Sequence, residues 1–199
     1  MSAGSDASTP GEGPGRRALP PAAVAALAAA VLAGCGGGPA TRPPAGGQAH
    51  GARATAAALE ALLPGRLGGL RLHKASATGA GVLGDDAFSR SLSSFLRSRH
   101  LRSSDLRFAN ARTASGSLEL GVFEAAGVDG RRLLDTIVAA TRPNAPSLQV
   151  AAATLAGRPV TRLVYPGGAV LYLEASGARV FYVGTQSERL ATRAFGALP

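Results

Sequence analysis

His100 stands a few residues before Ser103, Ser104 and Asp105, the residue types from which a hydrolase assembles base, nucleophile and orienting acid. Triad members ordinarily come from separate elements that the fold brings together, whereas these four are sequence neighbours. The run reads instead as a helix end followed by a Ser-Asp cap. No base, nucleophile and acid can be drawn from separate elements, so neither His73 nor His100 is expected to be catalytic, and no enzyme activity is expected.

Gly79, Gly81 and Gly84 spell G-x-G-x-x-G, and Asp105 follows about twenty residues on, which is the outline of a dinucleotide-binding turn. With 27 glycines in 199 residues the pattern is common by chance, and the preceding LRLHKASA is too polar for the buried first strand of a parallel sheet. A loop is the expectation, and no cofactor. Asp85-Asp86 lack the further oxygen ligands at alternating positions that calcium requires, so they read as a helix cap and no metal site is expected.

Cys35 is the only cysteine, which rules out an internal disulfide and a cysteine-built zinc site within one chain. It follows Arg16-Arg17 and the uncharged stretch ALPPAAVAALAAAVLAG, the pattern of a secretory signal peptide rather than a transmembrane span. Leu32-Ala33-Gly34-Cys35 resembles the lipobox of bacterial lipoproteins. That resemblance covers residues 16–35 and implies cleavage before Cys35, diacylglycerol on its sulfur, and anchoring on the extracytoplasmic side of the cell membrane. Two or more acyl chains hold a soluble domain on a bilayer stably, where one chain binds marginally. The next stretch, GGGPATRPPAGGQAHGARA, reads as a flexible linker. The expected organisation is a signal peptide over 1–34, lipidated cysteine and linker over 35–54, and one globular domain over 55–199.

The net charge of +9 comes from 21 basic and 12 acidic residues, and every basic residue except Lys74 is arginine. This bias, with heavy Ala and Gly usage, resembles a GC-rich bacterial genome. The aromatics that would stack bases make up only 5% of the chain, so nucleic acid is not an expected partner. Arg97, Arg99, Arg102 and Arg107 concentrate charge in one stretch and are a candidate basic patch toward anionic lipid.

Periodicity supplies the elements. Thr55 to Leu63 reads as a short helix, and Leu70 and Leu72 open an alternating strand. A helix follows Asp85 or Asp86 with Phe88, Leu92, Phe95 and Leu96 on one face. A strand over Ser117 to Glu124 precedes a helix capped by Asp129, with Leu133, Leu134, Ile137 and Val138 as its stripe and Pro143 at its end. Leu148–Leu155, Pro159–Tyr165, Ala169–Glu174 and Arg179–Gly184 read as strands, and Ser187 to Phe195 as a closing helix. The expected class is α+β: a largely antiparallel sheet with helices packed on one face, in a single domain.

The final meander is apolar on both sides. One alternating set, Leu163, Leu171, Leu173, Phe181 and Val183, is expected against the helices. The other holds Val160, Arg162, Val164, Val170, Tyr172, Glu174, Val180 and Tyr182. Coverage by the domain's own chain is the first expectation for this face; Arg162, Tyr172 and Tyr182 form a candidate binding face should a partner cover it or a shallow groove lie there instead. The functional expectation is a membrane-anchored, non-catalytic binding or interaction module whose partner is an unknown envelope protein or ligand. A carrier or sensor of a small apolar ligand is the alternative, and an envelope hydrolase comes third.

Overall fold

The computed structural model describes residues 56–199. Two amphipathic helices start where an aspartate satisfies their free backbone amides. Asp86 accepts from the Ser89 amide at 3.1 Å and its hydroxyl at 2.6 Å, opening α1 (Ala87–Ser98). Burial works against the charged Asp86 carboxylate, yet the hydrogen bonds from Ser89 and neighbouring amides win and hold its pKa below the ordinary value. Asp129 accepts from the amides of Arg131 and Arg132, opening α2 (Gly130–Thr141). A third helix, α3 (Glu188–Ala197), is capped by Ser187.

Nine strands accompany them among the described residues. β1 (Arg66–Leu67) and β2 (Leu70–Arg71) form a two-residue ribbon closed by Gly68-Gly69, so the strand expected from Leu70 onward is broken before β3 (His73–Thr78) begins. β4 (Leu106–Arg112), β5 (Glu119–Ala125), β6 (Gln149–Leu155), β7 (Arg158–Val164), β8 (Val170–Ser176) and β9 (Arg179–Gly184) complete the set. Strands β3 to β9 form one sheet in the order β3-β4-β5-β9-β8-β7-β6, antiparallel at every step. The class is α+β with an antiparallel sheet in a single domain.

α1 and α2 pack on one face, where Leu92, Leu96, Leu133 and Ile137 meet Phe108, Phe123, Leu163, Leu171, Leu173 and Tyr182. The opposite face is also covered. Leu59, Leu63, Leu67 and Leu72 lie there with Ala191, Ala194 and Phe195 of α3, over Leu120, Val122, Val160, Tyr172, Phe181 and Val183. The terminal helix therefore sits across the sheet from α1 and α2. Arg158 fixes it: its Nη1 donates to the carbonyls of Phe195 (2.9 Å) and Leu198 (3.0 Å), while its Nε donates to Glu174 at 2.8 Å.

Two glycines permit close approaches between elements. Gly130 starts α2 against the β8–β9 turn, donating to the Gly177 carbonyl at 2.9 Å, where a Cβ would strike that carbonyl and the one of Arg179. Gly121, at the centre of β5, lies directly under the ring of Tyr182 on β9. A side chain there has no room in a packed core, so Gly121→Ala is expected to cost about 1–3 kcal/mol through overpacking. Urea denaturation reads it, and an unchanged midpoint would show that the ring is free to move aside.

Candidate functional site

Seven strands spaced at about 4.8 Å make a sheet about 29 Å wide, whereas two helices packed side by side cover about 20 Å. α2 lies over β8 and β9, and α1 beside it is joined to β4 and β5 through Leu106, Phe108 and Phe123. The helix-bearing face is thus left open over β7 and β6. The result is a groove of about 640 Å³ between α2 and the outer strands. Leu134, Val138 and Ala139 of α2 form one wall, and Val150, Ala152, Thr161, Leu173 and Ala175 lie on the sheet side. The register puts Ala152 opposite Thr161, and Thr161 opposite Leu173, so these share the groove-facing side. Arg131, Asp135 and Arg142 rim the wall. Small side chains on the outer strand leave the space that larger ones would fill.

The candidate binding face of Arg162, Tyr172 and Tyr182 does not exist as one surface. Leu173 pairs with Tyr182 and Tyr172 with Val183, so the two tyrosines point to opposite faces of the sheet. Both are buried, Tyr172 at 2% exposure and Tyr182 at 4%. The expected sets are likewise exchanged on β9. Val180 and Tyr182 join Leu163, Leu171 and Leu173 beneath α1 and α2, and Phe181 and Val183 join Val160 and Tyr172 beneath α3. Arg162 lies opposite Tyr172 on the α3 side and is partly exposed. The cause is the two-residue turn Gly177-Ala178, which pairs Ser176 with Arg179 and so fixes every later partner.

Tyr182 belongs to a buried polar group instead. Its hydroxyl donates to Glu119 Oε1 at 2.7 Å, and the Asn110 amide donates to the same oxygen at 3.3 Å. Burial pushes the Tyr182 pKa well above the ordinary 10.0, the Glu119 charge and hydrogen bond push it further, and Arg112 partly opposes them. The rings of Phe108 and Phe123 pack beside it, with centroids 6.2 and 5.6 Å away.

The basic stretch separates. Arg97, Arg99 and Arg102 are exposed around the end of α1, and Arg99 lies 5.7 Å over the Phe95 ring. Arg107 leaves the set, because β4 turns it into an ion pair with Glu124, whose other oxygen takes Arg179 Nε at 2.8 Å. A shallow depression of about 460 Å³ brings Arg131 and Arg132 beside Arg99 in its place, a juxtaposition that sequence separation concealed.

The histidines have structural surroundings. His100 adopts φ +58° after α1; its amide donates to the Arg97 carbonyl and the Leu101 amide to that of Leu96, both at 2.9 Å. This is the left-handed helix ending usually made by glycine. Asp105 accepts from the Arg102 amide at 2.7 Å in the turn that follows. His73 lies exposed on β3, opposite Arg112. Gly79, Gly81 and Gly84 fall on a helical turn (Gly79–Val82) and the loop beyond it, and Gly79 approaches the Ser103 carbonyl too closely for a Cβ. Among the described residues no three His, Cys, Asp or Glu side chains converge as metal ligands, and no helix is long and apolar enough to cross a membrane. Cys35 and the linker lie outside the described residues.

No protein-family model matches the chain, and neither a curated protein nor a solved structure was found to match it.

The two tyrosines are core residues, so Tyr172→Ala and Tyr182→Ala are each expected to cost about 3–5 kcal/mol in chemical denaturation. Tyr182→Phe should cost about 1–3 kcal/mol at neutral pH by withdrawing a donor from buried Glu119. The folded protein keeps the Tyr182 proton to higher pH than the unfolded chain does, so this stability is present below about pH 10 and is lost above it. The alkaline fall in stability should therefore be shallower in Tyr182→Phe. Equal slopes in parent and variant would contradict the buried assignment.

Proposed function

We propose that the chain is a non-catalytic binding module of the bacterial cell envelope, held on the extracytoplasmic side of the membrane by diacylglycerol on Cys35, with its partner seated in the groove beside α2. The groove is the observation that carries the binding part of this reading. It is the place where a large area of small apolar side chains meets solvent beside an exposed strand, with a few charged groups at its rim. The sequence Leu32-Ala33-Gly34-Cys35 carries the anchoring part.

A carrier of a small apolar ligand is the second reading, and the groove's volume of about 640 Å³ favours it. Its form speaks for a macromolecular partner. A carrier encloses most of its ligand, whereas Gln149 to Ala152 on the outer strand are exposed. A hydrolase has less support, because the Asp105 carboxylate accepts from the Arg102 amide and, among the described residues, the His100 side chain makes no hydrogen bond to Ser103, Ser104 or Asp105.

Cys35→Ala should move the protein from the membrane fraction to precursor or soluble fractions. Intact-mass measurement of the membrane-extracted protein should show a mature chain beginning at Cys35 with added lipid mass. An unlipidated mature chain, or another N-terminus, defeats the anchoring.

The groove is tested separately. Once Cys35 is acylated, Ala139→Cys supplies a single free thiol on the groove wall, and Ala114→Cys supplies one on the β4–β5 turn. A thiol-directed photo-cross-linker in native membranes should capture a discrete partner from position 139 and not from position 114. Equal capture from both removes the groove from the proposal.

A further inference from the structure

β6 ends the sheet and pairs only with β7, so its outward-turned peptide groups have no ladder partner in the described residues. Soluble proteins protect such an edge with charge, proline, a bulge or a covering segment, because it templates another strand. The opposite edge obeys the rule. β3 carries His73 and Lys74, and the Lys74 ammonium donates to the Glu60 carbonyl at 2.9 Å. β6 does not: QVAAATL contains neither charge nor proline. Of the two large apolar side chains left exposed among the described residues, one is its Val150, at 38%.

This edge is also the open side of the groove. A strand laid against β6 would close that side, with alternate side chains packing over Val150 and Ala152. The rim charges say what else such a segment needs. Arg131 and Asp135 answer one another at 3.4 Å. Arg142 lines the groove from the residue that follows α2, seven residues before β6 begins, and has no acidic partner among the described residues. In a chain of net charge +9, a basic segment would be repelled there and an acidic one attracted.

Resting on the groove reading above, we propose that β6 receives an extended segment of a partner protein by strand addition. The segment carries apolar side chains at alternate positions and an acidic side chain at the end nearest Arg142. Main-chain hydrogen bonds supply affinity, and the groove with Arg142 supplies choice of partner.

The probes are four acetylated, amidated octapeptides of alternating Val and Thr, with Glu or Lys at the first or the last position. Each is titrated into the full chain while amide hydrogen exchange is followed. A Glu peptide should bind and slow exchange within 149–155. Arg142→Glu should weaken that peptide at least about tenfold and transfer the preference to the Lys peptide of the same placement. No binding of either Glu peptide at about 1 mM, the range of the weakest encounters, overturns the proposal. Binding that protects α2 but not 149–155 overturns strand addition and leaves the groove reading standing. Protection of 149–155 that grows with protein concentration, without peptide, assigns the edge to a second copy and also overturns it. Should the peptides fail while position 139 still captures a partner, the groove survives; failure of both removes both.

Discussion

The ladder between β5 and β9 holds the molecule together. The other strand pairs of the large sheet are neighbours in the chain, joined by hairpins or, for β3 and β4, by α1. β5 and β9 are not: Glu119 and its hydrogen-bond partner Tyr182 are 63 residues apart. Without this ladder there would be a three-strand unit and a four-strand unit, each with an unprotected edge. Closing so long a loop costs chain entropy before any contact is gained, so the contacts formed at closure must be strong. They are the apolar ones on both sides of the sheet. Val122 meets Phe181, and Phe123 meets Val180, while Gly121 admits the Tyr182 ring.

Once the halves are joined, the helices divide the faces unequally. α2 is the crossover from β5 to β6, and its first residue is pinned to the β8–β9 turn by the Gly130 to Gly177 hydrogen bond. It cannot slide outward over β7 and β6, so the groove follows from where the crossover must begin. The other face is covered by α3 and the leucines that precede β3. Arg158, held by Glu174, draws the end of α3 over β7 through three carbonyl contacts, with Phe195, Leu198 and Pro199. Arg158 Nε satisfies one oxygen of the buried Glu174 carboxylate with a charge-assisted bond, stronger than a neutral one, while the other oxygen has no partner among the described residues.

Periodicity and caps carried most of this in the sequence. Asp86, Asp129 and Ser187 mark the true helix starts, and Gly157, Gly167 and Gly177 mark the turns of the last four strands. β4 was illegible because Asn110 interrupts its alternation. That asparagine is buried and acceptable only since Glu119, on the next strand, accepts its amide. The facing of Tyr182 was legible in principle, since a two-residue turn at Gly177-Ala178 dictates the pairing. Hydropathy alone misleads there, because both faces of β9 are apolar and buried. The groove could not be read at all. It is a space, set by the width of a sheet against the width of two helices, and no residue announces it beyond the run of small side chains in β6.

The buried polar trio explains why a sheet so evenly apolar adopts one register. A slip of one residue reverses the face of every side chain on a strand, and in β5 and β9 both faces are hydrophobic, so hydrophobicity penalises the slip weakly. Glu119, Asn110 and Tyr182 penalise it strongly. In the observed register they lie on one face, and two donors meet one carboxylate oxygen. Turn β5 over and Glu119 enters the apolar cluster that now holds Leu120 and Val122, away from Tyr182, while Gly121 no longer underlies the Tyr182 ring. An uncompensated buried charge costs several kcal/mol, comparable with the whole stability of a domain this size. The trio thus contributes less by adding stability than by making the alternative pairing of the two halves untenable, which is what the long-range ladder requires.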